Sequence, residues 1–409
     1  MSDYGHLIES VIYQENLHYK NMTNKKTKQQ KNISEAEVIA KYFGFTKENP
    51  ESVTKEDIKT VATICREKDY LDENLFSVDE IFAQLRKHKD IKDGIEPDLL
   101  YFEGSVTGPH KKHRKRVGSE MINLHMINVL GSIAEATLIK TAKSILSDHG
   151  IKKILVKIND VGDKESQTAF IREATSYYRK NINELNSHCR QLFKESLYAL
   201  MNRGKNQCTQ IHEAAPKPMD YLDEETRKKF GEVLEYLETL DIPYEIDPML
   251  VGDPNYSTHT VFEIINQEDG SIVAAGSRYD SLARKCGLRK DIPSVGITIH
   301  LPDPKIVSDR IIKKFEKAKF FFLQIGYESK LKCLSIIEEL RQESIPVLHK
   351  IYRDKLSVQI AGAKKANTDY LIIMGQKEAL ADEVIIRDKE SRSQQIISHK
   401  NLINHLKSL

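Results

Sequence analysis

Tryptophan is absent from this chain of 409 residues, and cysteine occurs only five times. No run of about 18 apolar residues occurs, which excludes a membrane-spanning helix. The N-terminal sequence MSDYGHLIES lacks the basic and apolar segments of a secretory signal, so we expect a cytoplasmic protein. The cysteines form no C-x-x-C pair, which excludes a zinc ribbon and predicts reduced, mostly structural thiols. They are Cys65, Cys189, Cys208, Cys286 and Cys333.

Net charge is also small, because 62 basic residues are balanced by 60 acidic ones. Contact with a nucleic acid would therefore depend on local patches rather than on overall charge. Two basic segments stand out, at residues 20–31 and 110–116. The first has too few apolar residues to bury a face, and we interpret it as a flexible arm.

Hydrophobic periodicity predicts an α+β protein of two or three domains. Residues 35–100 follow a helical pattern, except that a strand begins at 99. A helix at 135–149 leads into a strand at 151–159, and residues 164–240 are helical. Strand signals without intervening helices at 243–301 favour an antiparallel sheet, and strand and helix then alternate to the end. The expected divisions are a basic N-terminal segment (1–34), a core (35–305) with a helical insertion (165–240), a linker (306–317) and an α/β domain (318–409).

Five segments of the core occur in an order that resembles the histidyl-tRNA synthetase family, which is a class II aminoacyl-tRNA synthetase family. They are LLYFEGSVTG (99–108), LVKINDVGD (155–163), YEIDPMLVGDPNYSTHTVFEII (244–265), AAGSRYDSLARKCG (274–287) and PSVGITIHL (293–301). The C-terminal module is similar to the anticodon-binding domain of that family. The resemblance implies a class II antiparallel catalytic core, a homodimer and tRNA as a partner. The first ninety residues match poorly, and the first family motif is not found there.

This sequence departs from the family pattern where the resemblance implies cations on ATP. Gly252 stands where an arginine would touch the α-phosphate, and Asp303 stands where an arginine would touch the γ-phosphate. Residues 105–110 (SVTGPH) lack the arginine and the glutamate that the resemblance implies in that stretch. The residues that would select histidine fall near Leu124 and Asn128, and Ser257 replaces one of two tyrosines. A positioned charge that stabilises the transition state is worth about 10²–10³ in rate.

The resemblance nevertheless implies a remnant amino-acid and ATP pocket formed by Asn255, Tyr256, Arg278, Tyr279 and Asp280. Arg278 is equally compatible with binding a carboxylate or phosphate and with a salt bridge that holds the sheet together.

Two groups of residues are candidates for contact with nucleic acid. The run at 110–116 contributes five cations, which would bind phosphates without reading the sequence of the nucleic acid. These are Lys111, Lys112, Arg114, Lys115 and Arg116. In the C-terminal domain, a mixture of cations and an aromatic residue is typical of RNA contact. The candidates there are Lys350, Tyr352, Arg353, Lys355, Gln359 and Lys364. The alternatives are a solvated loop and a plain packing domain.

No set of histidine, cysteine and carboxylate residues has the spacing of a metal site, so no metal is expected. Three functional hypotheses remain. The first is a pseudo-enzyme that binds tRNA or a protein partner without efficient aminoacylation and has no evident cofactor. The second is a divergent histidine–tRNA ligase that uses ATP and Mg²⁺, with the run 111–116 replacing the missing arginines. The third is a regulatory subunit of ATP phosphoribosyltransferase, although an anticodon-type domain counts against it.

Overall fold

The computed structural model describes residues 33–48, 85, 96–103, 120–204, 206–301, 305–307 and 317–409. The basic segments at 20–31 and 110–116 and residues 302–304 lie outside these residues. In the part that is described, no helix is long and apolar enough to cross a bilayer.

An eight-stranded sheet forms the body of the molecule, with the strand order β2-β3-β4-β9-β8-β7-β5-β6. Neighbouring strands are antiparallel, except that the two outermost pairs, β2–β3 and β5–β6, are parallel. The strands are β2 (Thr46–Lys47), β3 (Asp98–Glu103), β4 (Glu120–Ile127), β5 (Ile154–Asp160), β6 (Tyr244–Ile246), β7 (Thr258–Asn266), β8 (Ile272–Arg278) and β9 (Ser294–Leu301). A further short strand, β1 (Ile33–Ser34), pairs with β10 (Ile306–Val307).

The two faces of this sheet differ in polarity because side chains alternate along each strand. In β9, Val295, Ile297 and Ile299 are buried in the main apolar core, whereas Gly296 and Thr298 face the other side. The apolar face is covered by two helices, α2 (Ile133–Asp148) and α7 (Glu224–Thr239). The other face carries small and polar residues, such as Asn123, Ser277 and Thr298. Of the candidate site, Arg278 and Asp160 lie on the helix-covered face.

Helices fill the stretch between β5 and β6, as the composition predicts. They are α3 (Lys164–Lys180), α4 (Ser187–Glu195), α5 (Leu197–Gly204), α6 (Thr209–Ala214) and α7, with one 3₁₀ turn at Pro218–Tyr221. Asp163 caps α3 by accepting a hydrogen bond from the backbone N–H of Ser166 at 2.9 Å. The helices α3 to α6 form a second apolar cluster, which also includes Met249, Leu250 and Val251. Residues 249–251 were predicted to extend a strand, but the strand β6 ends at Ile246.

The C-terminal residues form a five-stranded sheet with the order β12-β11-β13-β14-β15, parallel in the first three strands and antiparallel thereafter. Its strands are β11 (Phe320–Gln324), β12 (Val347–His349), β13 (Tyr370–Met374), β14 (Glu383–Asp388) and β15 (Gln394–Ser398). Its helices are α9 (Tyr327–Gln342), α10 (Leu356–Lys365), α11 (Gln376–Ala381) and α12 (His399–Ser408). Two shorter helices also occur among the described residues, α1 (Glu35–Tyr42) before β2 and α8 (Leu282–Lys285) after β8.

Helix α9 joins the C-terminal sheet to the body. Its Glu338 accepts a hydrogen bond from the hydroxyl of Ser144 at 2.9 Å, and its Arg341 pairs with Asp148 at 2.7 Å. Apolar residues of both sheets belong to one continuous core cluster. Helix α9 therefore packs against the same helices that cover the large sheet.

Candidate functional site

The loop of residues 252–257 and the end of β8 meet on the polar side of the large sheet. Thr258, which follows the loop, lies opposite Arg278 in the register of β7 and β8. The hydroxyl of Thr258 also accepts a hydrogen bond from the backbone N–H of Asp280 at 3.2 Å. The fold thus brings together the two segments that carry the predicted pocket.

Gly252 adopts a backbone conformation that is costly for larger residues. Its φ is +63°, in the left-handed region that L-residues adopt at a cost. A Cβ atom at this position would lie 2.7 Å from Oγ of Ser257 and 2.8 Å from Cγ1 of Val261. A side chain here would require the loop to move.

Hydrogen bonds close the loop on itself. Oγ of Ser257 accepts from the backbone N–H of Asp253 at 2.9 Å and donates to Oγ of Ser277 at 3.2 Å. A carboxylate oxygen of Asp253 accepts from the backbone N–H of Asn255 at 2.7 Å. The carbonyl of Asn255 in turn accepts from Nζ of Lys285. Ser257 therefore stabilises the turn instead of supplying an aromatic ring.

Arg278 is bound to Glu135 of α2 in a bidentate pair. Its Nε and a terminal nitrogen donate to the two carboxylate oxygens at 2.6 and 2.8 Å, and its other terminal nitrogen donates to the carbonyl of Val129 at 3.2 Å. Burial alone would lower the pKa of Arg278, but Glu135 and Asp280 raise it above its ordinary value. The structure thus shows the salt bridge that the sequence left open as one of two roles for this residue.

Asp160, at the end of β5, is a buried carboxyl that sequence reasoning did not single out for its titration. Burial raises its pKa to about 7, although hydrogen bonds from the backbone of Gly162, at 2.8 Å, and from Thr260 lower it. Glu135 raises its pKa further and Arg278 lowers it. The sequence signal for this group was a carboxylate at the end of the mostly apolar strand ILVKIND. A buried carboxyl with a pKa near neutrality is the kind of group that marks functional sites.

The two tyrosines of the predicted pocket are buried among apolar residues. Tyr256 and Tyr279 share a cluster with Leu100, Phe102 and Leu282. The side chain of Tyr279 contacts Nδ1 of His125 at 3.2 Å. Burial lowers the pKa of His125 to about 3, so this imidazole is neutral at physiological pH.

The polar face beside this cluster is uncharged at its centre. Asn123 of β4 lies opposite Thr298 of β9, and the hydroxyl of Thr298 donates to the amide oxygen of Asn123 at 2.6 Å. Leu124, which was expected near the histidine-selecting position, faces the opposite side and is fully buried in the main core. Asn128 lies beyond the end of β4 at a φ of +60°.

Among the C-terminal candidates, the structure corrects the prediction for Gln359. It was predicted to lie on the surface, but it is fully buried because its amide exchanges hydrogen bonds with Gln324 at 3.1 and 2.9 Å. Arg353 forms an ion pair with Glu96 and lies 6.0 Å from the ring centre of the half-buried Tyr352.

Three lysines remain around α10. Lys355 and Lys364 are exposed near its two ends, and Lys350 is half-buried beside Gly362. The run Lys111–Arg116 and Asp303 lie outside the described residues. Among the residues that the structure does describe, no group of three histidine, cysteine or carboxylate side chains is placed to hold a metal.

Comparison with known proteins gives matches over both sheets. A sequence model of the family described as "Histidyl-tRNA synthetase" matches residues 117–303, and one of the "Anticodon binding domain" matches residues 319–409. The histidine–tRNA ligase of Bacillus licheniformis is 26% identical over 333 residues, which cover 79% of this chain and 78% of the relative.

Two solved structures also align. Apo histidyl-tRNA synthetase of S. aureus has a TM-score of 0.47 and 18% identity, covering 90% of this chain and 93% of that chain. A protein of Bacillus halodurans titled "ATP phosphoribosyltransferase regulatory subunit/histidyl-tRNA synthetase" has a TM-score of 0.42 and 15% identity, covering 83% and 94%. The two family matches, in the chain order that the sequence resemblance predicts, establish that this chain belongs to the histidyl-tRNA synthetase family.

Proposed function

We propose that this chain is a tRNA-binding member of its family that does not activate histidine efficiently. The observation that carries the proposal is Gly252. The resemblance implies an arginine on the α-phosphate at this position, and here a glycine stands in a left-handed conformation with Ser257 and Val261 packed close to it. Loss of such a contact costs about 10²–10³ in the rate of the chemical step.

The neighbouring cations do not replace the missing arginine. Arg278 is held by Glu135, and Lys285 donates to the carbonyl of Asn255. Pulling Arg278 toward a phosphate would leave the carboxylate of Glu135 buried without its partner, which is strongly unfavourable. The described residues of this site therefore do not fit a triphosphate, and we derive no step of catalysis through ATP or Mg²⁺.

The C-terminal domain supports tRNA as the partner, because residues 319–409 match the anticodon-binding domain. Anticodon bases are splayed out and recognised by stacking and by hydrogen bonds at their edges, while lysines hold the backbone. Lys355 and Lys364 mark the two ends of α10, with Leu356 and Ile360 each 36% exposed between them. We place the RNA contact on this helix.

The second candidate is an active histidine–tRNA ligase, favoured by the name that the relative from Bacillus licheniformis carries. In that case the run Lys111–Arg116 would supply the cations on ATP. The third candidate, a regulatory subunit of ATP phosphoribosyltransferase, is disfavoured by the match to the anticodon-binding domain. Homodimerisation and a cytoplasmic location stay predictions.

The deciding measurement is ATP–pyrophosphate exchange with histidine and then with each other amino acid. The histidine–tRNA ligase of Bacillus licheniformis serves as the positive control. We expect no exchange above background with this chain. Exchange with histidine that disappears when Lys111, Lys112, Arg114, Lys115 and Arg116 are all replaced by serine would establish the active ligase instead.

Binding of tRNA is tested separately, by filter binding over a series of salt concentrations. Affinity should fall steeply with salt, and the variant K355A/K364A should reduce the slope of log K against log[salt] by about two, since each phosphate contact contributes about one. Lys152→Ala, which removes an exposed lysine before β5, is the matched control and should leave the slope unchanged. An unchanged slope in the double variant would remove α10 from the interface, and absence of tRNA binding would contradict the proposal.

A further inference from the structure

Two cysteines outside the candidate pocket come together in the helical insertion. Cys189 lies in the first turn of α4, and Cys208 immediately precedes α6. Asn186 contacts both residues, because its backbone N–H donates to Sγ of Cys208 at 3.4 Å and its side-chain oxygen accepts from the backbone N–H of Cys189 at 2.7 Å. The amide oxygen of Gln207 lies 3.2 Å from Nδ2 of Asn186 and 4.0 Å from Sγ of Cys189. Both sulfur atoms thus lie around one small hydrogen-bonded turn.

The environments of the two thiols differ. Cys189 is fully buried, and burial together with a hydrogen bond to the thiol of Cys208 raises the pKa of Cys189 to about 11. Cys208 is partly exposed and has a φ of +54°, which is uncommon for a residue with a side chain. The arrangement therefore pairs an accessible thiol with a protected one around the turn formed by Asn186 and Gln207.

We propose that Cys189 and Cys208 form a disulfide when the protein meets a hydroperoxide, with Cys208 as the thiol that reacts first. The oxidant converts the thiol of Cys208 to a sulfenic acid and is itself reduced to the alcohol, or to water when it is hydrogen peroxide. The sulfur of Cys189 then attacks Sγ of Cys208, so that an S–S bond forms, the S–O bond breaks, and the oxygen leaves as water with the proton of Cys189. The sum is two thiols and one hydroperoxide giving one disulfide, one alcohol and one water.

The position of this pair connects it to the candidate site through packing. Cys189 belongs to the apolar cluster that contains Leu250 and Val251, which directly precede Gly252. A bond between the start of α4 and the start of α6 closes a loop that contains all of α5. Oxidation should therefore slow hydrogen exchange in α4 to α6 and leave the exchange of β13 unchanged.

The test uses the full chain, treated with hydrogen peroxide or with dithiothreitol, alkylated with N-ethylmaleimide and digested with trypsin. Arg190 and Lys205 lie between the two cysteines, so trypsin places them in different peptides. We expect a linked peptide pair that is absent after reduction, and about a tenfold fall in alkylation of Cys208. Cys286→Ser, at another partly exposed cysteine, should leave the linked pair unchanged, and Cys208→Ser should abolish it.

Peptide mapping of the wild-type chain tests the proposed disulfide even if a variant does not fold. Sulfinic acid at Cys208 with no linked pair would contradict the proposal. Pairing of Cys208 mainly with Cys65, Cys286 or Cys333 would also contradict it. Neither result depends on whether the chain activates histidine or binds tRNA.

Discussion

Gly252 adopts a left-handed backbone conformation that is costly for residues with a side chain. We expect Gly252→Ala to destabilise the fold by about 3 kcal/mol, from the left-handed conformation together with the contacts that a Cβ would make with Ser257 and Val261. Gly270→Ala is the matched control, because its φ is +73° but nothing lies within 4 Å of its added Cβ. That change should cost about 1 kcal/mol. Urea unfolding of both variants measures the difference, and equal costs would refute crowding at Gly252.

Asp160 should make stability depend on pH. Its folded-state pKa, raised to about 7 by burial, exceeds the ordinary value of 3.8, so the protonated carboxyl favours the folded state. The associated stabilisation is complete below pH 3.8 and is lost as pH rises through 7. Relative to wild type, Asp160→Asn should therefore become more stable between pH 5 and pH 8, by about 3 kcal/mol, since about two pH units separate pH 5 from the folded-state pKa of Asp160.

Denaturant unfolding at both pH values tests this expectation. Asp163→Asn is the control, because asparagine also caps helices and keeps an oxygen at the start of α3. If the stability difference between Asp160→Asn and wild type stays constant from pH 5 to pH 8, Asp160 is not the titrating group.

For individual residues, the sequence could predict which ones occupy the loop at 252–257 and the end of β8. The segments that contain them occur in the chain order that resembles the family. It could not choose between two roles for Arg278, since that choice depends on Glu135, which is 143 residues away in the chain. It also placed Gln359 on the surface, because a lone glutamine in a polar helix gives no sign that Gln324 will be its partner.

Among the helices, the contact of α9 with α2 is the ionic connection between the two sheets. Arg341 donates to Glu338 at 2.8 Å and to Asp148 at 2.7 Å. Burial raises the pKa of Glu338, but hydrogen bonds from Arg341 and Ser144 and the charge of Lys140 lower it below its usual range. Arg341→Met should therefore destabilise the fold by about 3–5 kcal/mol, because it leaves a mostly buried carboxylate without its main partner.

Adding Glu338→Gln to Arg341→Met should recover part of that loss, because the most buried carboxylate of this contact is then neutral, although Asp148 still lacks Arg341. Lys407→Met, which removes a half-exposed ion pair with Glu343, should cost no more than about 1 kcal/mol. Equilibrium unfolding of the three variants gives the comparison. A similar cost for Arg341→Met and Lys407→Met would show that this contact contributes no more than a surface pair.

Periodicity predicted most elements but missed several. The strand β4 was not recognised as one, although Ile122, Leu124 and Met126 alternate with buried polar residues. The strand β15 reads QQIIS and sits at a sheet edge, where its exposed residues give almost no apolar signal. The helix α11 has only six residues, and its N-terminus is stabilised by Glu378, which accepts from the backbone N–H of Gly375 at 3.0 Å.

The whole molecule should unfold in one transition, because one apolar core includes residues of both sheets. With no tryptophan to report on either sheet, hydrogen exchange across a urea series is the suitable probe. We expect peptides from β9 and β13 to lose protection at the same urea concentration. Two separated midpoints would show that the C-terminal sheet is an independent folding unit.

The pairing of β1 with β10 also constrains how the chain is made. Ile33 lies opposite Val307, so the first strand leaves the ribosome roughly 270 residues before its partner. At about 5–20 residues per second, that interval is on the order of tens of seconds. The nascent chain must therefore keep the edge of β1 unpaired while the large sheet is synthesised. The strand β1 therefore pairs with β10 only after the large sheet has been made, although β1 is synthesised before that sheet.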